Sequence, residues 1–236
     1  MVKAILFDYG GTLDTGARHW SYVLHEGYEA AGISLPQPLF REAYVFAERA
    51  LARTPVIQSS DNFRRLLEKK VRLEVEFLRE KGFVPLAKEE QARATISQVA
   101  AYCDDYARRC TARSADVLAR LQGRYPLAVV SNFYGNLPVV LADYGLSHFF
   151  GFIVESAVVG VRKPDPQIFS LAVGRLGIPA TEVLVVGDSF GKDIEPARQA
   201  GCQTVWFKGE EWEQKKYDEN VPTHVITALP QLLDCL

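Results

Sequence analysis

Short apolar runs alternate with amphipathic stretches along this chain, and the two patterns divide it into distinct regions. The first run, from Val2 to Phe7, is apolar at almost every position and ends at Asp8, shortly before a pair of glycines. A run too short for a helix and closed by a glycine turn is typical of a strand covered on both faces. We therefore predict a buried first strand that places Asp8 at its carboxyl end, where an acid either serves chemistry or caps the following turn.

The second region has apolar residues at helical spacing and no strand pattern. It extends from Thr15 to about Arg109, and glycines and prolines divide it into four pieces. The predicted helices span residues 17–32, 37–53, 61–81 and 88–109. We expect them to form an insert that is joined to the rest of the chain by two crossings, near residues 14–17 and 109–113.

The remainder of the chain alternates strands and helices. Apolar runs at 126–132, 150–155, 183–187 and 203–207 are separated by helical stretches at 114–122, 137–144, 165–177 and 189–201. Strands that alternate with helices lie parallel in one sheet. The predicted fold class is α/β, with a core domain made of residues 1–14 and 112–236 and a helical insert made of residues 15–111.

Composition and charge limit the range of partners. The chain of 236 residues has a formal net charge of -2 and no run of lysine or arginine with interleaved aromatic residues, so we expect no nucleic-acid partner. Its 4 cysteines lack CxxC spacing, which indicates reduced thiols and no zinc site. No apolar run approaches the roughly 18 residues of a membrane helix, and Met1 leads directly into the first strand. We expect a cytoplasmic protein that acts on a small molecule, and the sequence identifies no protein partner.

Polar side chains cluster where the strands of the core end, and parallel strands bring their carboxyl ends to one edge of a sheet. The candidates are Asp8, Thr12, Ser131, Asn132, Lys163, Asp188 and Asp193. Two acids with Mg²⁺, a lysine and hydroxyl donors form a set that can hold a phosphoryl group. Each residue alone also has a plainer explanation, such as a helix cap for Ser131 or Asp193 and a surface lysine for Lys163.

Four motifs in order carry a more specific signal. The sequence contains Phe-Asp-x-x-x-Thr-Leu, then Val-Ser-Asn, then Lys-Pro-Asp-Pro, then Gly-Asp-Ser-x-x-x-Asp-Ile. This order closely resembles the haloacid dehalogenase-like (HAD) hydrolase superfamily over nearly the whole chain. The resemblance implies a Rossmann-like parallel sheet with helices on both faces. It also implies that the helical insert is the cap domain, inserted after the first strand.

The resemblance further implies roles for the clustered residues. Asp8 would be the nucleophile that forms an aspartyl intermediate, while Ser131, Asn132 and Lys163 would hold the phosphoryl oxygens. Thr12 would stabilise the nucleophile turn beside the phosphate.

The implied metal is Mg²⁺. Asp8, Asp188 and the backbone carbonyl of Gly10 would bind it. Asp193 would either reach the metal through water or orient Asp188 and Lys163.

One position departs from the pattern of the phosphatases in this superfamily. They carry a second Asp two residues after the nucleophile, and this chain has Gly10 there. The missing group is the general acid/base, whose help is typically worth about 10² to 10⁴ in rate. Asp14, His19 or another cap residue are candidates to replace it.

Three functions therefore stay open. The first, which we favour, is a Mg²⁺-dependent phosphatase that acts on a small phosphorylated metabolite. The second is hydrolysis of carbon–halogen or carbon–phosphorus bonds. The retained Asp188 disfavours the metal-independent dehalogenases, and Lys69 and Lys70, the cap lysines considered for an imine, are expected on a solvated helix face. The third is a non-catalytic protein that binds a phosphorylated ligand or a partner, against which the retained Asp8 argues.

Overall fold

A six-stranded parallel sheet forms the centre of the computed structural model, which describes residues 1–210, 212 and 215–236. The strands are β1 Ala4–Phe7, β2 Leu127–Ser131, β3 Phe152–Glu155, β4 Val183–Gly187, β5 Gln203–Phe207 and β6 His224–Ile226. They lie in the order β3-β2-β1-β4-β5-β6, and every neighbouring pair is parallel. The predicted α/β class is confirmed, and the order of the strands reverses between β1 and β4, where ligands bind in such sheets.

Helices cover both faces of the sheet, and this explains the continuous apolar character of the strands. Ile5 and Phe7 contribute to a core shared with the helices at residues 89–121 and 137–143. Leu6 packs instead with Phe169 and Ala197. The helices of the core are α5 Leu137–Asp143, α6 Ser156–Val159, α7 Gln167–Leu176 and α8 Glu195–Gln199. A π-helical turn over Phe190–Ile194 precedes α8.

The insert consists of α1 Trp20–Ala30, α2 Gln37–Arg53, α3 Phe63–Glu80 and the first part of α4 Glu89–Leu121. Asn62 caps α3 by accepting a hydrogen bond from the backbone N–H of Arg65. The predicted helix at 37–53 has the observed bounds, and the helix predicted at 61–81 is one or two residues shorter at each end.

The predicted break between two helices near residues 109–113 is wrong. The helix α4 is 33 residues long and runs through this segment without interruption. No glycine or proline interrupts the chain between Lys88 and Gln122, so nothing ends the helix there. The hydroxyl of Thr111 also donates to the backbone carbonyl of Ala107, 2.8 Å away, a bond compatible with the helical conformation. The prediction failed because it placed the boundary between insert and core at the end of a helix, whereas one helix belongs to both.

Two small elements, β6 and α6, were not predicted. The π-helical turn lies within the helical stretch predicted at 189–201, where only the π form was not foreseen. All four cysteines are free thiols, as expected. Among the described residues, no helix combines the length and the apolar character needed to cross a membrane.

Candidate active site

The strand ends bring a buried lysine and two buried acids into direct contact. Asp8 follows β1, Ser131 ends β2, and Lys163 lies in the loop before α7. Lys163 Nζ donates to Asp8 Oδ1 at 2.6 Å and to Asp193 Oδ1 at 2.5 Å, and Ser131 Oγ donates to Asp8 Oδ1 at 2.9 Å. These four side chains, which the sequence placed at one edge of the sheet, therefore form one hydrogen-bonded cluster.

The two oxygens of Asp8 have different surroundings. Its backbone N–H donates to the carbonyl of Val186 on β4 at 2.9 Å, which fixes the residue at the strand end. Both side-chain hydrogen bonds that described residues donate to Asp8 end on Oδ1. Among the hydrogen bonds of the described residues, those to the Asp8 side chain therefore leave Oδ2 without a donor.

Asp188 is held against the nucleophile loop by Thr12 and Gly11. Thr12 Oγ1 donates to Asp188 Oδ1 at 2.9 Å and accepts from the backbone N–H of Asp188 at 3.0 Å. Gly11 has a φ of +99°, and a Cβ at this position would overlap the carboxylate of Asp188. Thr12 is fully buried and outside the cavity lining, so its hydroxyl positions Asp188 in this structure.

Two further residues hold Lys163 in place. Asp193 uses Oδ1 for the lysine and Oδ2 for the backbone N–H of Ser189, at 3.0 Å, inside the π-helical turn. Asn132 accepts from the backbone N–H of Lys163 at 2.9 Å and donates to its carbonyl at 3.0 Å. Asn132 and Asp193 thus fix the backbone and the ammonium group of Lys163 respectively.

The cluster carries more negative than positive charge. Burial and the neighbouring carboxylates of Asp193 and Asp8 raise the pKa of Asp188 well above its usual value. Burial also raises the pKa of Asp193, to about 6, although Lys163 opposes this shift. For Lys163, burial opposes the charged form, but attraction to Asp193 and Asp8 outweighs it and raises the pKa. One ammonium group therefore faces three carboxylates.

This donor set fits a small divalent cation. Asp8, Asp188 and Asp193 each offer a carboxylate oxygen, and the three oxygens lie within 4.8 Å of one another. Hard oxygen ligands suit Mg²⁺, and a divalent cation would offset the excess negative charge.

A cavity of about 910 Å³ lies over the cluster, and its walls come from both the core and the insert. Asp8, Gly10 and Lys163 border it on the core side. A Cβ added at Gly10 would meet no atom within 4 Å, and the φ of Gly10 is outside the left-handed region. The position at which phosphatases of this superfamily carry their second acid is therefore open space.

The two named candidates for acid/base catalysis, Asp14 and His19, both border this cavity. Asp14 is fully buried, and its oxygens accept from the backbone N–H of Gly11 at 2.7 Å and from Trp20 Nε1 at 3.0 Å. Burial raises the pKa of Asp14 to about 7. Burial lowers the pKa of His19 to about 4, assisted by the charge of Lys192, so the imidazole is neutral at pH 7.

Sequence reasoning did not place Glu48 of α2 and Lys70 of α3 in the cavity, although both border it. The expectation of a solvated surface for Lys70 is wrong, because the residue is only 6% exposed and donates to Glu48 Oε1. Its neighbour Lys69 points elsewhere and pairs with Asp61 Oδ2 at 2.5 Å. A signal was present, since Lys70 follows Leu66 by four residues, within the inward-facing stripe of α3.

A family model described as haloacid dehalogenase-like hydrolase matches residues 2–201 of the chain. Among curated proteins, haloacid dehalogenase-like hydrolase domain-containing protein 3 of Danio rerio is 38% identical over 122 residues, covering 52% of this chain and 48% of that protein. Glyceraldehyde 3-phosphate phosphatase of Methanopyrus kandleri is 39% identical over 96 residues, covering 40% of this chain and 41% of that protein. The chain spans about half the length of these relatives or somewhat less.

Solved structures show the same fold over the full chain. The magnesium-bound HAD-hydrolase YfnB of Bacillus subtilis has a TM-score of 0.63 at 23% identity, covering 100% of this chain and 98% of its own. A dehalogenase with an intermediate complex has a TM-score of 0.67 at 19% identity, covering 100% of this chain and 97% of its own. At these identities the likeness concerns the fold.

Proposed function

The chain belongs to the haloacid dehalogenase-like hydrolases, and from this premise we propose that it is a Mg²⁺-dependent phosphatase of a small phosphorylated metabolite that works through an aspartyl-phosphate intermediate. The observation that carries the proposal is the position of Lys163 Nζ between Asp8 and Asp193, with Ser131 on the same oxygen of Asp8. Support also comes from the glyceraldehyde 3-phosphate phosphatase and phosphoserine phosphatase among the relatives.

The proposed reaction has two displacements at phosphorus. In the first, Asp8 Oδ2 attacks the phosphorus atom, a bond forms between them, and the bond from phosphorus to the leaving oxygen breaks. The N–H of Lys163 and the O–H of Ser131, which now donate to Asp8 Oδ1, are placed to donate to the phosphoryl oxygens. In the second, water attacks phosphorus, the Asp8 carboxylate is released, and inorganic phosphate leaves.

Asp8, Asp188 and the carbonyl of Gly10 are the groups that we assign to Mg²⁺. When bound, the ion would neutralise charge on the transferring phosphoryl group. Thr12 orients Asp188 for this task through the hydrogen bond to Oδ1. Asp193 holds Lys163, so its part in metal binding is indirect in this proposal.

Proton transfer is the weak step of the proposed reaction. Gly10 has no side chain to protonate the leaving oxygen. Asp14 has a suitable pKa near 7, but both of its oxygens already accept hydrogen bonds. His19 is neutral at pH 7, and its Nδ1 accepts from the backbone N–H of Ser21 at the start of α1. We therefore propose slow turnover of esters whose leaving group needs a proton.

Lys70 gives one specific reason to consider carbon–phosphorus bond hydrolysis, because a lysine in the cavity is what imine chemistry requires. Burial opposes the charged form of this lysine, but the attraction of Glu48 outweighs it and raises the pKa. A protonated amine cannot attack a carbonyl carbon. A dehalogenase that works without a metal does not need Asp188 as a metal ligand, so that function would not explain why Thr12 holds Asp188 in place. The phosphatase is therefore the function that we put forward.

The decisive experiment is a single-turnover reaction with a ³²P-labelled phosphate ester and Mg²⁺, followed by acid quench. We expect label on the protein, and its loss in Asp8→Asn. The matched control is Asp116→Asn, an exposed acid on α4, which should retain the label. Hydrolysis of a 2-haloacid in the presence of a chelator, without any phosphoprotein, would contradict the proposal.

A further inference from the structure

The insert contributes an ion pair to the wall of the cavity that contains Asp8, and in this pair the Lys70 side chain is buried whereas that of Glu48 is 39% exposed. Lys70 Nζ donates to Glu48 Oε1, and it also lies 4.3 Å from the centre of the Tyr44 ring. Glu48, Lys70, Tyr44 and Asp8 all border the same cavity. The pair and Asp8 therefore share one cavity.

Stability does not explain a pair in this place. Removing the Lys70 ammonium group from water costs several kcal/mol, and its attraction to a carboxylate that is still partly exposed to solvent offsets only part of this cost. The wall nearby is already apolar and aromatic, with Phe63, Leu66 and Leu67 of the same helix. A charged pair in such a wall is suited to ligand contact.

The pair has a defined capacity for further hydrogen bonds. An ammonium group has three N–H donors, of which Glu48 takes one while Tyr44 occupies a second direction. Oε1 of Glu48 accepts from Lys70, and the Tyr134 hydroxyl also interacts with this carboxylate, whose two oxygens offer about four lone pairs. One N–H donor of Lys70 and further lone pairs of Glu48 are thus left for a ligand.

A hydroxyl group matches this arrangement, because it both donates and accepts without bringing a charge. A ligand carboxylate at this point would be repelled by Glu48 and would compete with it for Lys70. A ligand ammonium would likewise be repelled by Lys70 and would compete with it for Glu48. The aromatic rings of Tyr44 and Tyr134 on the cavity wall can pack against C–H groups of a sugar or polyol.

We propose that the Glu48–Lys70 pair recognises hydroxyl groups of the leaving group, and that the substrates are phosphate esters of neutral polyols or sugars. This inference rests on the proposed phosphatase function. Glu48 and Lys70 act here as specificity residues that contact the leaving group.

The test compares three substrates with the same number of carbon atoms, namely propyl phosphate, glycerol 1-phosphate and 3-phosphoglycerate. The readout is the ratio of kcat/KM for glycerol 1-phosphate to kcat/KM for propyl phosphate, because a ratio cancels any general loss of activity. Hydrogen bonds to charged groups contribute about 1.5–3 kcal/mol, so Lys70→Met and Glu48→Gln should each lower this ratio about tenfold or more. The control is Lys69→Met, which alters the neighbouring lysine outside the cavity and should keep the wild-type ratio.

Three results would overturn the inference. One is an unchanged ratio in folded Lys70→Met and Glu48→Gln, which would make the pair structural only. Another is a preference for 3-phosphoglycerate that Lys70→Met abolishes, which would assign the lysine to a carboxylate. The third is an unchanged ratio in the double variant Glu48→Leu/Lys70→Met. This variant leaves no unpaired charge, so it gives the same readout should a single variant fail to fold.

Failure of the phosphatase proposal would look different, since no phosphate ester, including p-nitrophenyl phosphate, would then be hydrolysed. In that case ligand-observed NMR with erythritol and butanol still tests the pair without catalysis. We expect wild-type protein to bind erythritol in preference to butanol, and Lys70→Met to lose that preference. Equal binding of the two alcohols by the wild type would overturn the inference.

Discussion

Two adjacent glycines of the nucleophile loop have different reasons for being there. Gly11 has a φ of +99°, and any side chain would run into Asp188. Gly10 has neither restriction, since its φ is outside the left-handed region and the space around it is empty. Substitution at Gly11 should therefore damage the loop, whereas Gly10 can accept a side chain. Steric hindrance therefore does not explain why the second Asp is absent at position 10.

We predict that Gly10→Asp raises kcat for alkyl phosphates tenfold or more, the lower limit of typical acid/base help. Wild-type protein should give a burst of p-nitrophenol from p-nitrophenyl phosphate followed by slow turnover, because hydrolysis of the aspartyl phosphate also lacks a base. Steady-state and rapid-quench kinetics measure both effects. The matched variant is Gly10→Asn, which has the same shape and no acid. If both variants had the same activity on alkyl phosphates, the acid/base would lie elsewhere.

Asp188 is the residue whose change should affect the metal most directly. Its carboxylate lies with those of Asp8 and Asp193, and Thr12 holds it in position. We predict that Asp188→Asn weakens Mg²⁺ binding at least tenfold, because the amide lacks the negative charge that attracts the ion. Isothermal titration calorimetry measures the affinity, with Asp116→Asn as the control. An affinity equal to that of the wild type would exclude Asp188 as a ligand.

At the scale of single residues, the motifs placed Asp8, Ser131, Lys163 and Asp193 together correctly. The sequence could not assign each hydrogen bond, because that depends on side-chain directions. The side-chain amide of Asn132, for example, forms its hydrogen bonds with the backbone of Lys163. Its predicted contact with phosphate stays a prediction.

Among the elements, α3 combines packing and ionisation in one helix. Its inward stripe includes Glu74, which is fully buried and accepts a hydrogen bond from the Tyr28 hydroxyl at 3.0 Å. Burial raises the pKa of Glu74 to about 7, so this carboxyl is largely protonated in the folded protein at pH 6 and ionised in the unfolded chain. Glu74 therefore makes the insert sensitive to pH, and it lies in the second half of α3, away from the cap residue Asn62.

The sign of the effect on stability follows from the raised pKa. The unfolded chain releases the Glu74 proton near pH 4.3, whereas the folded protein keeps it to about pH 7. The free energy of unfolding should thus be highest below pH 4.3 as far as Glu74 is concerned, and fall as pH rises through 7. At about 1.36 kcal/mol per unit, the loss is on the order of 3 kcal/mol.

We predict that Glu74→Gln reduces this dependence of stability on pH. Urea unfolding of wild type and variant at pH 5 and pH 8 measures it. The wild type should lose more stability between these two pH values than Glu74→Gln does. Glu76→Gln, an exposed glutamate on the same helix, should behave like the wild type. Equal pH dependence in wild type and Glu74→Gln would show that Glu74 ionises normally.

Helix α4 shows where periodicity succeeds and where it fails. Its inward positions, such as Val99 and Leu118, follow the helical repeat and belong to the core. The predicted crossing near residues 109–113 is wrong because no glycine or proline ends the helix there. β6 was missed for another reason, since three residues are too few for any repeat to show.

For the whole molecule, the parallel sheet and its ligand-binding edge were predictable because both depend on the order of strands and helices. The fit between insert and core was not, because it depends on contacts between residues far apart in the sequence. Arg18 illustrates this, since it pairs with Glu26 of α1 at 2.7 Å and with Glu210 after β5 at 2.7 Å. Asn136 likewise donates to the carbonyl of Asp61 at 2.8 Å.

These contacts connect the two sides of the cavity, and they differ in strength. The ion pair between Arg18 and Glu210 is exposed, and such pairs typically contribute about 0–1 kcal/mol. The hydrogen bond from Asn136 to Asp61 is buried. At the floor of the cavity, Lys163 is 3% and Asp8 is 7% exposed, so a movement of the insert would change the access of a ligand to both residues.

We predict that the insert acts as a lid and that ligand binding favours the closed arrangement. Since α4 is continuous, the motion must bend or tilt this helix while the segment between Asp14 and Trp20 acts as the second connection. Spin labels at the exposed Val84 of the insert and Leu171 of the core report the distance between the two parts. The background is Cys235→Ser, because the other three cysteines are buried.

Addition of Mg²⁺ and vanadate should narrow the distance distribution between the two labels and remove its open component. Arg18→Met, which removes the ion pair to Glu210, should enlarge the open component in the absence of ligand, because one of the contacts across the cavity is lost. Arg93→Met is the control, since Arg93 pairs only within its own helix among the described contacts. A labelled pair inside the core, at Leu171 and Asn220, should not respond to ligand. If the distribution between Val84 and Leu171 were the same with and without vanadate, the insert would be a fixed wall, and substrates would have to enter through a permanent opening.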